Sequence, residues 1–299
     1  EIYAFDSLRD VVEFLNGEKE VQPLESRNYE NVLQEQKYYN DFKYVKGQSQ
    51  AKRALEIAAA GGHNVLMIGP PGAGKTMLAK CFASILPDMT FSEALECTKI
   101  HSIAGMLDNK EGIVSTRPFR SPHHTATLIA LTGGGANAKP GEISLAHNGV
   151  LFLDELPEYN RRTVETLRQP LEDGKITIAR NKMTVEYPAN FMMIASMNPC
   201  PCGYYGSETN QCRCTPAQIY KYLNKLSGPL MDRIDIHMEV DGVTYTELKS
   251  DATAESSADI KKRVNKARAI QLARYKDCGI YSNSEMTPQM IQTYCKLDK

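Results

Sequence analysis

An eight-residue stretch at positions 69–76, GPPGAGKT, constrains the fold of this chain more than any other feature of its sequence. It joins an apolar run at 64–68 to a helical pattern that begins at Met77. In such a loop, backbone N–H groups point inward around a phosphate, the lysine reaches the terminal phosphates and the threonine hydroxyl suits a Mg²⁺ ligand. The sequence therefore predicts a strand, a phosphate loop and a helix. The predicted nucleotide-binding residues are Gly69, Pro70, Pro71, Gly72, Ala73, Gly74, Lys75, Thr76 and Met77.

Composition excludes several classes of protein. The 299 residues carry a formal net charge of −1 and 24% charged side chains, so any contact with nucleic acid or with a membrane surface would have to be local. Eight cysteines in a chain of this length do not indicate a disulfide scaffold, and the sequence shows no signal peptide or membrane-spanning helix. We therefore expect a cytoplasmic protein without membrane contact.

Apolar periodicity divides the chain into three predicted parts. Residues 1–43 comprise a short helix at 7–17 and a polar linker, 44–243 form an α/β core with a parallel sheet sandwiched by helices, and 244–299 form a small helical lid. Strands are predicted at 64–68, 149–153, 191–195 and 234–240, with a hairpin at 175–187. Helices are predicted at 48–60, 77–86, 92–104, 160–171, 215–226, 256–275 and 287–297. The glycine-rich stretch 105–148 contains no pattern that places the second strand of the sheet.

Two carboxylates follow the predicted strand at 149–153. Asp154 is placed to hold the Mg²⁺ shell and Glu155 to polarise an attacking water, although acidic residues at the end of a strand are also common in turns. Asn198 follows the next buried strand, where its amide would orient water or the γ-phosphate, or only favour a turn before Pro199. Arg233 precedes the last strand. It suits an arginine finger for a neighbouring subunit or a salt bridge at a helix end, and Arg161, Arg162 and Arg168 compete for the same role.

Two further groups of residues admit two interpretations each. Four thiols, at Cys200, Cys202, Cys212 and Cys214, suit a structural tetrahedral Zn²⁺ site or are simply reduced loop cysteines, since C-x-C is tighter than the usual knuckle. Basic residues on two predicted loops would line a channel for DNA or form solvated surface charge. These basic residues are Arg117, Arg120, Arg180 and Lys182. A metal site at His123 and His124 lacks nearby partners in the sequence.

Five segments together resemble the magnesium-chelatase-related AAA+ ATPases of the YifB/ComM family. They are GGHNVLMIGPPGAGKTMLAK, RPFRSPHHTAT, PGEISLAHNGVLFLDELPE, MNPCPCGYYG and SGPLMDRIDIHMEV. The resemblance is dense over 44–243 and weaker in the helical tail. The segments containing RPFRSPHH and PGEISLAHNGVLFLDE are more specific than the motifs of a generic ATPase.

The resemblance implies roles for individual residues. Lys75 and Thr76 would belong to Walker A, Asp154 and Glu155 to Walker B, Asn198 would be sensor one and Arg233 the finger acting in trans. The segment from Tyr44 to Gln48, with Tyr44 and Val45 as the named contacts, would border the adenine. The resemblance also implies ATP or ADP with Mg²⁺, a hexameric ring and, for the competence branch, DNA branch migration. Family members carry an N-terminal Lon-like domain and further lid helices with a second sensing arginine. We therefore expect this chain to be a piece of a longer protein, and we expect the piece by itself to hydrolyse ATP weakly.

The sequence therefore predicts an ATP-hydrolysing AAA+ motor that forms a ring and acts on DNA. Two alternatives remain open. The chain is the motor of a chelatase that inserts Mg²⁺ into a porphyrin, or it is a nucleotide-gated switch with little turnover. The sequence does not reveal the physiological substrate, the ring size or the direction of movement.

Overall fold

The structure is a computed structural model that describes residues 2–24, 29, 40–107, 112–135, 137–180, 183–207, 210–242, 249 and 254–296. The chain forms two compact units, Glu1–Lys37 and Tyr38–Lys299. In the first unit, helix α1 (Leu8–Leu15) begins after Ser7, whose side chain accepts a hydrogen bond from the Asp10 N–H. The helix predicted at 7–17 is therefore confirmed. Most of the predicted linker lies outside the described residues.

The second unit is built on a five-stranded sheet. Its strands are β1 (Val65–Ile68), β2 (Phe119–Arg120), β5 (Val150–Leu153), β8 (Met192–Met197) and β9 (Ile236–Glu239). Their order is β2-β5-β8-β1-β9, and every pairing is parallel. The carboxyl ends of all five strands therefore lie at one edge of the sheet, where the loops that follow them come together.

Alternating side chains divide the apolar core between the two faces of this sheet. Leu66, Leu151 and Met193 pack in one buried cluster, whereas Val65, Phe152 and Ile194 pack in the other. Burial on both faces explains why β1 and β5 are apolar throughout and why β8 is apolar except at Ser196. The predicted parallel sheet between helices is confirmed.

Along the chain, the helices of the second unit come before, between and after these strands. They are α2 (Ser49–Gly61), α3 (Lys75–Ile85), α4 (Phe91–Ala104), α5 (Leu128–Thr132), α6 (Glu142–Leu145), α7 (Arg161–Glu165), α8 (Arg168–Asp173), α9 (Pro216–Leu223), α10 (Gly228–Met231), α11 (Ser257–Arg274) and α12 (Pro288–Tyr294). Single 3₁₀ turns occupy Phe42–Tyr44, Leu156–Glu158 and Asn283–Glu285. None of the described helices is both long and apolar enough to cross a bilayer.

Short antiparallel pairs complete the strand list. β3 (Gly133–Gly134) pairs with β4 (Lys139–Pro140), and β6 (Lys175–Arg180) pairs with β7 (Met183–Pro188) as the predicted hairpin. The strand that the sequence could not place is β2, inside the RPFRSPHH segment, where it pairs with β5 at the edge of the sheet. Two residues are too few to show a period, so no pattern could reveal this strand.

Two local predictions differ from the structure. The single helix predicted at 160–171 is split into α7 and α8, because Pro170 has no N–H to donate to the carbonyl of Thr166 and its ring crowds that carbonyl. Phe42, which the sequence assigned to the linker, is fully buried in the core, and its N–H donates to Ser257 Oγ over 2.8 Å.

Helix α11 packs against α2 and α3. The domain boundaries at 43/44 and 243/244 remain predictions.

Candidate nucleotide-binding site

The phosphate loop leaves the carboxyl end of β1 and enters α3 in a backbone conformation that requires glycine at two positions. Gly72 and Gly74 have φ values of 79° and 87°, in the left-handed region that side chains rarely adopt. Gly69 is required for a different reason, since a Cβ there would lie 2.1 Å from the carbonyl oxygen of Val240, which follows β9. The loop is thus shaped by its own backbone and by contact with the neighbouring strand.

Lys75 is the buried cation of this loop. Its Nζ donates to the carbonyl oxygens of Gly69 and Pro70 over 2.6 and 2.9 Å, and to Oδ1 of Asn198 over 3.2 Å. Burial lowers the pKa of Lys75 below its usual range, while Asp154 and Glu155 act in the opposite direction. The structure therefore brings Lys75 together with Asn198, as expected for side chains that follow adjacent parallel strands.

Thr76 and Asp154 lie directly beside each other. The Thr76 hydroxyl donates to Oδ2 of Asp154 over 2.8 Å, and Oδ1 of Asp154 accepts a short hydrogen bond from the hydroxyl of Ser196. A hydroxyl and a carboxylate are hard oxygen donors of the kind that Mg²⁺ prefers beside a phosphate. The residues present therefore fit a Mg²⁺ site.

Glu155 is held in a left-handed conformation, with φ 54° and ψ 49°. Such a backbone is uncommon outside glycine and is found at functional sites more often than elsewhere. Its N–H donates to Ser196 Oγ over 3.2 Å, and its carboxylate, which is 55% exposed, lies 3.5 Å from Nδ1 of His124. The side chain is therefore available to a ligand above the edge of the sheet.

Sequence reasoning missed two of these residues. Ser196 is the only hydroxyl side chain in the apolar run of β8, and that isolated polarity is the signal that would have found it. His124 stacks on His123 with ring centroids 4.1 Å apart and lies edge-on to Tyr159. Tyr159 in turn donates its hydroxyl to the carbonyl of Pro122 over 2.6 Å. The RPFRSPHH segment thus reaches the candidate site through its second histidine.

Arg233 lies at the amino ends of the strands, opposite the carboxyl ends that carry the phosphate loop. It precedes β9, and its carbonyl oxygen accepts from Nδ2 of Asn64, the residue before β1, over 2.9 Å. Its guanidinium pairs with Glu172 and donates to the carbonyl of Pro229 over 2.7 Å. Because β1 and β9 are parallel, the four residues of β1, at about 3.3 Å each, separate Arg233 from the phosphate loop of the same chain.

Of the residues predicted to border the adenine, Tyr44 is exposed and Val45 is buried in the core. The Val45 carbonyl accepts from Lys52 Nζ over 2.6 Å. The connection to the phosphate loop is made instead by Gln48, whose Nε2 donates to the carbonyls of Ala73 and Asp241 over 3.4 and 2.5 Å. Gln48 was within the predicted adenine segment but had no assigned role.

Comparison with known proteins gives the family. The family model described as "Magnesium chelatase, subunit ChlI" matches residues 41–248, and the model of its C-terminal part matches 254–299. YifB of Salmonella typhimurium is 50% identical over 258 residues, which cover 86% of this chain and 50% of that protein. The competence protein ComM of Haemophilus influenzae is 44% identical over 300 residues, or 99% of this chain and 57% of that protein. The chain belongs to the YifB/ComM magnesium-chelatase-related AAA+ family.

Other members of the wider group are more distant from this YifB/ComM-family chain. The magnesium-chelatase 38 kDa subunit of Rhodobacter capsulatus is 26% identical over 177 residues, which cover 53% of this chain and 50% of that protein. The chain spans about half the length of YifB and ComM. An activity, substrate or partner of the whole protein can therefore only be proposed for this chain.

Two basic residues that the sequence placed on DNA-facing loops have structural partners in this family member. Arg117 donates to the carbonyls of Pro87 and Asn148 over 2.6 and 2.7 Å and pairs with Glu93 at 2.9 Å. Arg120 makes a bidentate pair with Glu142, with distances of 2.6 and 2.7 Å. The guanidinium groups of both arginines thus bind the protein itself, and the channel-lining interpretation stays a prediction. The side chain of Arg180 and all of Lys182 lie outside the described residues.

The four loop cysteines, Cys200, Cys202, Cys212 and Cys214, are gathered into one group, called the cysteine cluster below. All four sulfur atoms lie within 4.8 Å of one another, and among the described residues this is the one group of three or more His, Cys, Asp or Glu side chains placed to hold a metal ion. Hydrogen bonds from backbone groups, first of all that of Arg213 and then that of Tyr204, lower the pKa of Cys202 to about 6. His123 and His124 belong to no such group in the described part of the chain.

Proposed function

We propose that this chain is the ATP-hydrolysing core of an AAA+ motor. The observation that supports the proposal best is the convergence of Lys75, Thr76, Asp154 and Asn198 at the carboxyl edge of the sheet, linked by direct hydrogen bonds. Ligands of open parallel sheets bind at this edge, outside the ends of the strands. The membership of the family supports the same conclusion.

The residues divide the work of phosphoryl transfer to water among them. Backbone N–H groups of the non-proline residues in 69–77 cradle the phosphates, and Lys75 leaves its carbonyl partners to bind the β- and γ-phosphate oxygens. Thr76 and Asp154 would hold Mg²⁺, which when bound neutralises charge on the phosphates. Glu155 orients and polarises the attacking water, and Asn198 positions that water or the γ-phosphate. Contacts of Tyr44 and Val45 with the adenine stay a prediction.

Arg233 is proposed to act on the nucleotide of a neighbouring subunit. Within its own chain it lies at the edge of the sheet opposite Lys75, so it cannot reach the γ-phosphate bound by the same phosphate loop. It is also exposed enough, at 26% of its side chain, to change partner from Glu172. These features support a ring of subunits, proposed to be a hexamer, in which each site is completed in trans.

DNA is the proposed substrate of the ring, in the manner of branch migration. The support is the identity to a protein named for competence, together with the much lower identity to the chelatase subunit. To contact DNA, Arg117 and Arg120 would have to leave their partners within the chain, as Arg233 would have to leave Glu172. A chelatase-type motor and a nucleotide-gated switch remain the alternatives, and a cytoplasmic location stays a prediction.

Two substitutions test the assignment of the site. Lys75→Ala should abolish ATP binding, because the phosphates lose their buried cation. Glu155→Gln should keep binding and lose turnover, because the amide cannot accept a proton from water. Binding is measured by fluorescence of a labelled ATP analogue and turnover by phosphate release. Retained turnover in Glu155→Gln would overturn the assignment.

The substrate is tested by measuring ATPase rate with and without forked DNA. A DNA motor should be stimulated, whereas a chelatase motor should be indifferent to DNA. Single-turnover hydrolysis separates either motor from a switch, which would bind ATP and leave it intact.

A further inference from the structure

The sulfur atoms of the cysteine cluster are spaced like the ligands of a tetrahedral metal site. Cys200 and Cys202 lie 3.4 Å apart, Cys200 and Cys212 3.8 Å, and Cys202 and Cys212 3.6 Å. Four Zn–S bonds of about 2.3 Å in a tetrahedron place the sulfurs about 3.8 Å apart. A disulfide would need an S–S distance of about 2.05 Å, which no pair approaches.

Backbone N–H groups point at these sulfurs. The Tyr205 N–H donates to Cys200 Sγ over 3.3 Å, and the Cys214 N–H donates to Cys212 Sγ over 3.4 Å. A tight turn, closed by the Gly203 N–H to the Cys200 carbonyl over 3.0 Å, brings the first two cysteines together. These hydrogen bonds from backbone to sulfur orient the cysteine side chains, as the outer contacts of metal ligands do.

The same turn presses on the phosphate loop. Gly203 has a φ of 86°, and a Cβ at this position would lie 2.5 Å from Cδ and 2.7 Å from Cγ of Pro71. Cys200 follows Asn198 by two residues, and Cys214 directly precedes Thr215, the N-cap of α9. The cysteine cluster therefore joins the end of β8 to the start of α9, with the phosphate loop against its turn.

We propose that the four cysteines hold one structural Zn²⁺, and that this ion keeps Gly203 against Pro71 so that the phosphate loop is shaped before nucleotide binds. The second half of the proposal rests on the proposed nucleotide-binding function. Zinc stays out of the chemistry of hydrolysis, since its four ligands leave no open position.

Metal content tests the first half. The purified full chain should carry about one Zn²⁺ per molecule by elemental mass spectrometry. The double variant Cys202→Ser/Cys212→Ser should lose it, whereas the matched control Cys278→Ser/Cys295→Ser, at two exposed cysteines outside the cluster, should keep it. If the first variant fails to fold, Co²⁺ exchanged into the wild-type chain should give the thiolate charge-transfer band of a tetrahedral site. Absence of both metal and band overturns the proposal.

A pair of glycine variants tests the second half. Gly203→Ala places a methyl group against Pro71, while Gly206→Ala, with a similar φ of 79°, meets nothing within 4 Å. Both variants share the strain of an alanine in the left-handed region, so the difference between their Kd values reports the contact with Pro71 alone. We expect Gly203→Ala to keep its zinc and raise the Kd for a fluorescent ATP analogue by about tenfold, with Gly206→Ala close to wild type.

The outcomes of these experiments are distinguishable. Equal Kd values in the two glycine variants would overturn the coupling to the phosphate loop. A wild-type chain that contains zinc yet binds no ATP would instead overturn the proposed function, and with it the coupling, while the metal site would stand.

Discussion

Ser196 is the residue that contacts both acidic residues of the site, Asp154 at its carboxylate and Glu155 at its backbone. It is fully buried, donates to Asp154 and accepts from the Glu155 N–H. We expect Ser196→Ala to lower the free energy of unfolding by about 1–3 kcal/mol, because one residue loses two hydrogen bonds near the core. ATP turnover should fall as well, since Asp154 loses the group that orients it. Urea unfolding and phosphate release measure the two effects.

Ser144 provides the matched control. It is equally buried, yet its hydroxyl has no hydrogen-bond partner among the described residues. Removing an unsatisfied buried hydroxyl relieves a desolvation cost. Ser144→Ala should therefore leave stability unchanged or slightly higher, with wild-type turnover. Equal losses in both variants would mean that the hydrogen bonds of Ser196 contribute nothing.

The junction before β5 depends on a neutral histidine, His147. Its Nδ1 accepts from the Asn190 N–H over 3.1 Å and its Nε2 lies 3.1 Å from a carboxylate oxygen of Glu96. Burial lowers the pKa of His147 below 6.5, although hydrogen bonding to Glu96 acts in the opposite direction. The ring thereby links α4 and the entry to β8 while it stays uncharged.

This lowered pKa predicts a pH dependence of stability. His147 has a lower pKa in the folded chain than in the unfolded chain, so at pH values between the two the unfolded chain binds more protons than the folded one. The free energy of unfolding therefore falls as pH drops below 6.5. The loss is complete once the pH is below the folded-state pKa. From about pH 7.5 to about pH 5.5, wild type should lose more stability than His147→Gln. Chemical denaturation at both pH values measures this. His237→Gln, at an exposed histidine, should keep the wild-type dependence.

The elements of the central sheet could largely be predicted from the sequence, and the reasons are physical. β1, β5 and β8 are buried on both faces, so their sequences are apolar runs, interrupted only by Ser196 in β8. Parallel pairing then places Lys75, Asp154 and Asn198 at the carboxyl ends of the strands. β2 has only two residues and leaves no period. Charge alone also left the partner of Arg120 unknown, because Glu142 lies 22 positions away and no pattern in the sequence shows that pairing.

At the scale of the molecule, the separation of Arg233 from its own phosphate loop predicts complementation. Glu155→Gln and Arg233→Ala chains should each hydrolyse ATP slowly. Mixed, they should recover part of the wild-type rate, because an Arg233→Ala subunit keeps its own Glu155 and receives the arginine of a Glu155→Gln neighbour. The measurement is phosphate release against mixing ratio, at a protein concentration where wild type is active.

Arg162→Ala is the control for this experiment, since that arginine competed for the same role on sequence grounds. An Arg162→Ala chain should be active alone. An Arg162→Ala chain that is inactive alone and recovers when mixed with Glu155→Gln, or no recovery in the Arg233→Ala mixture, would contradict the assignment of Arg233.

Asn64 has a consequence for how a ring of such chains would behave. Its side chain donates to the Arg233 carbonyl and accepts from the Met193 N–H over 2.8 Å, while its own N–H donates to Asp235. Three strands are thus tied at the edge that carries Arg233, and β1 runs rigidly from there to the phosphate loop. In the proposed ring, the sheet would therefore fix the distance between Arg233 and the phosphate loop of each chain, and a change at one nucleotide site would reach the next as a rigid-body displacement.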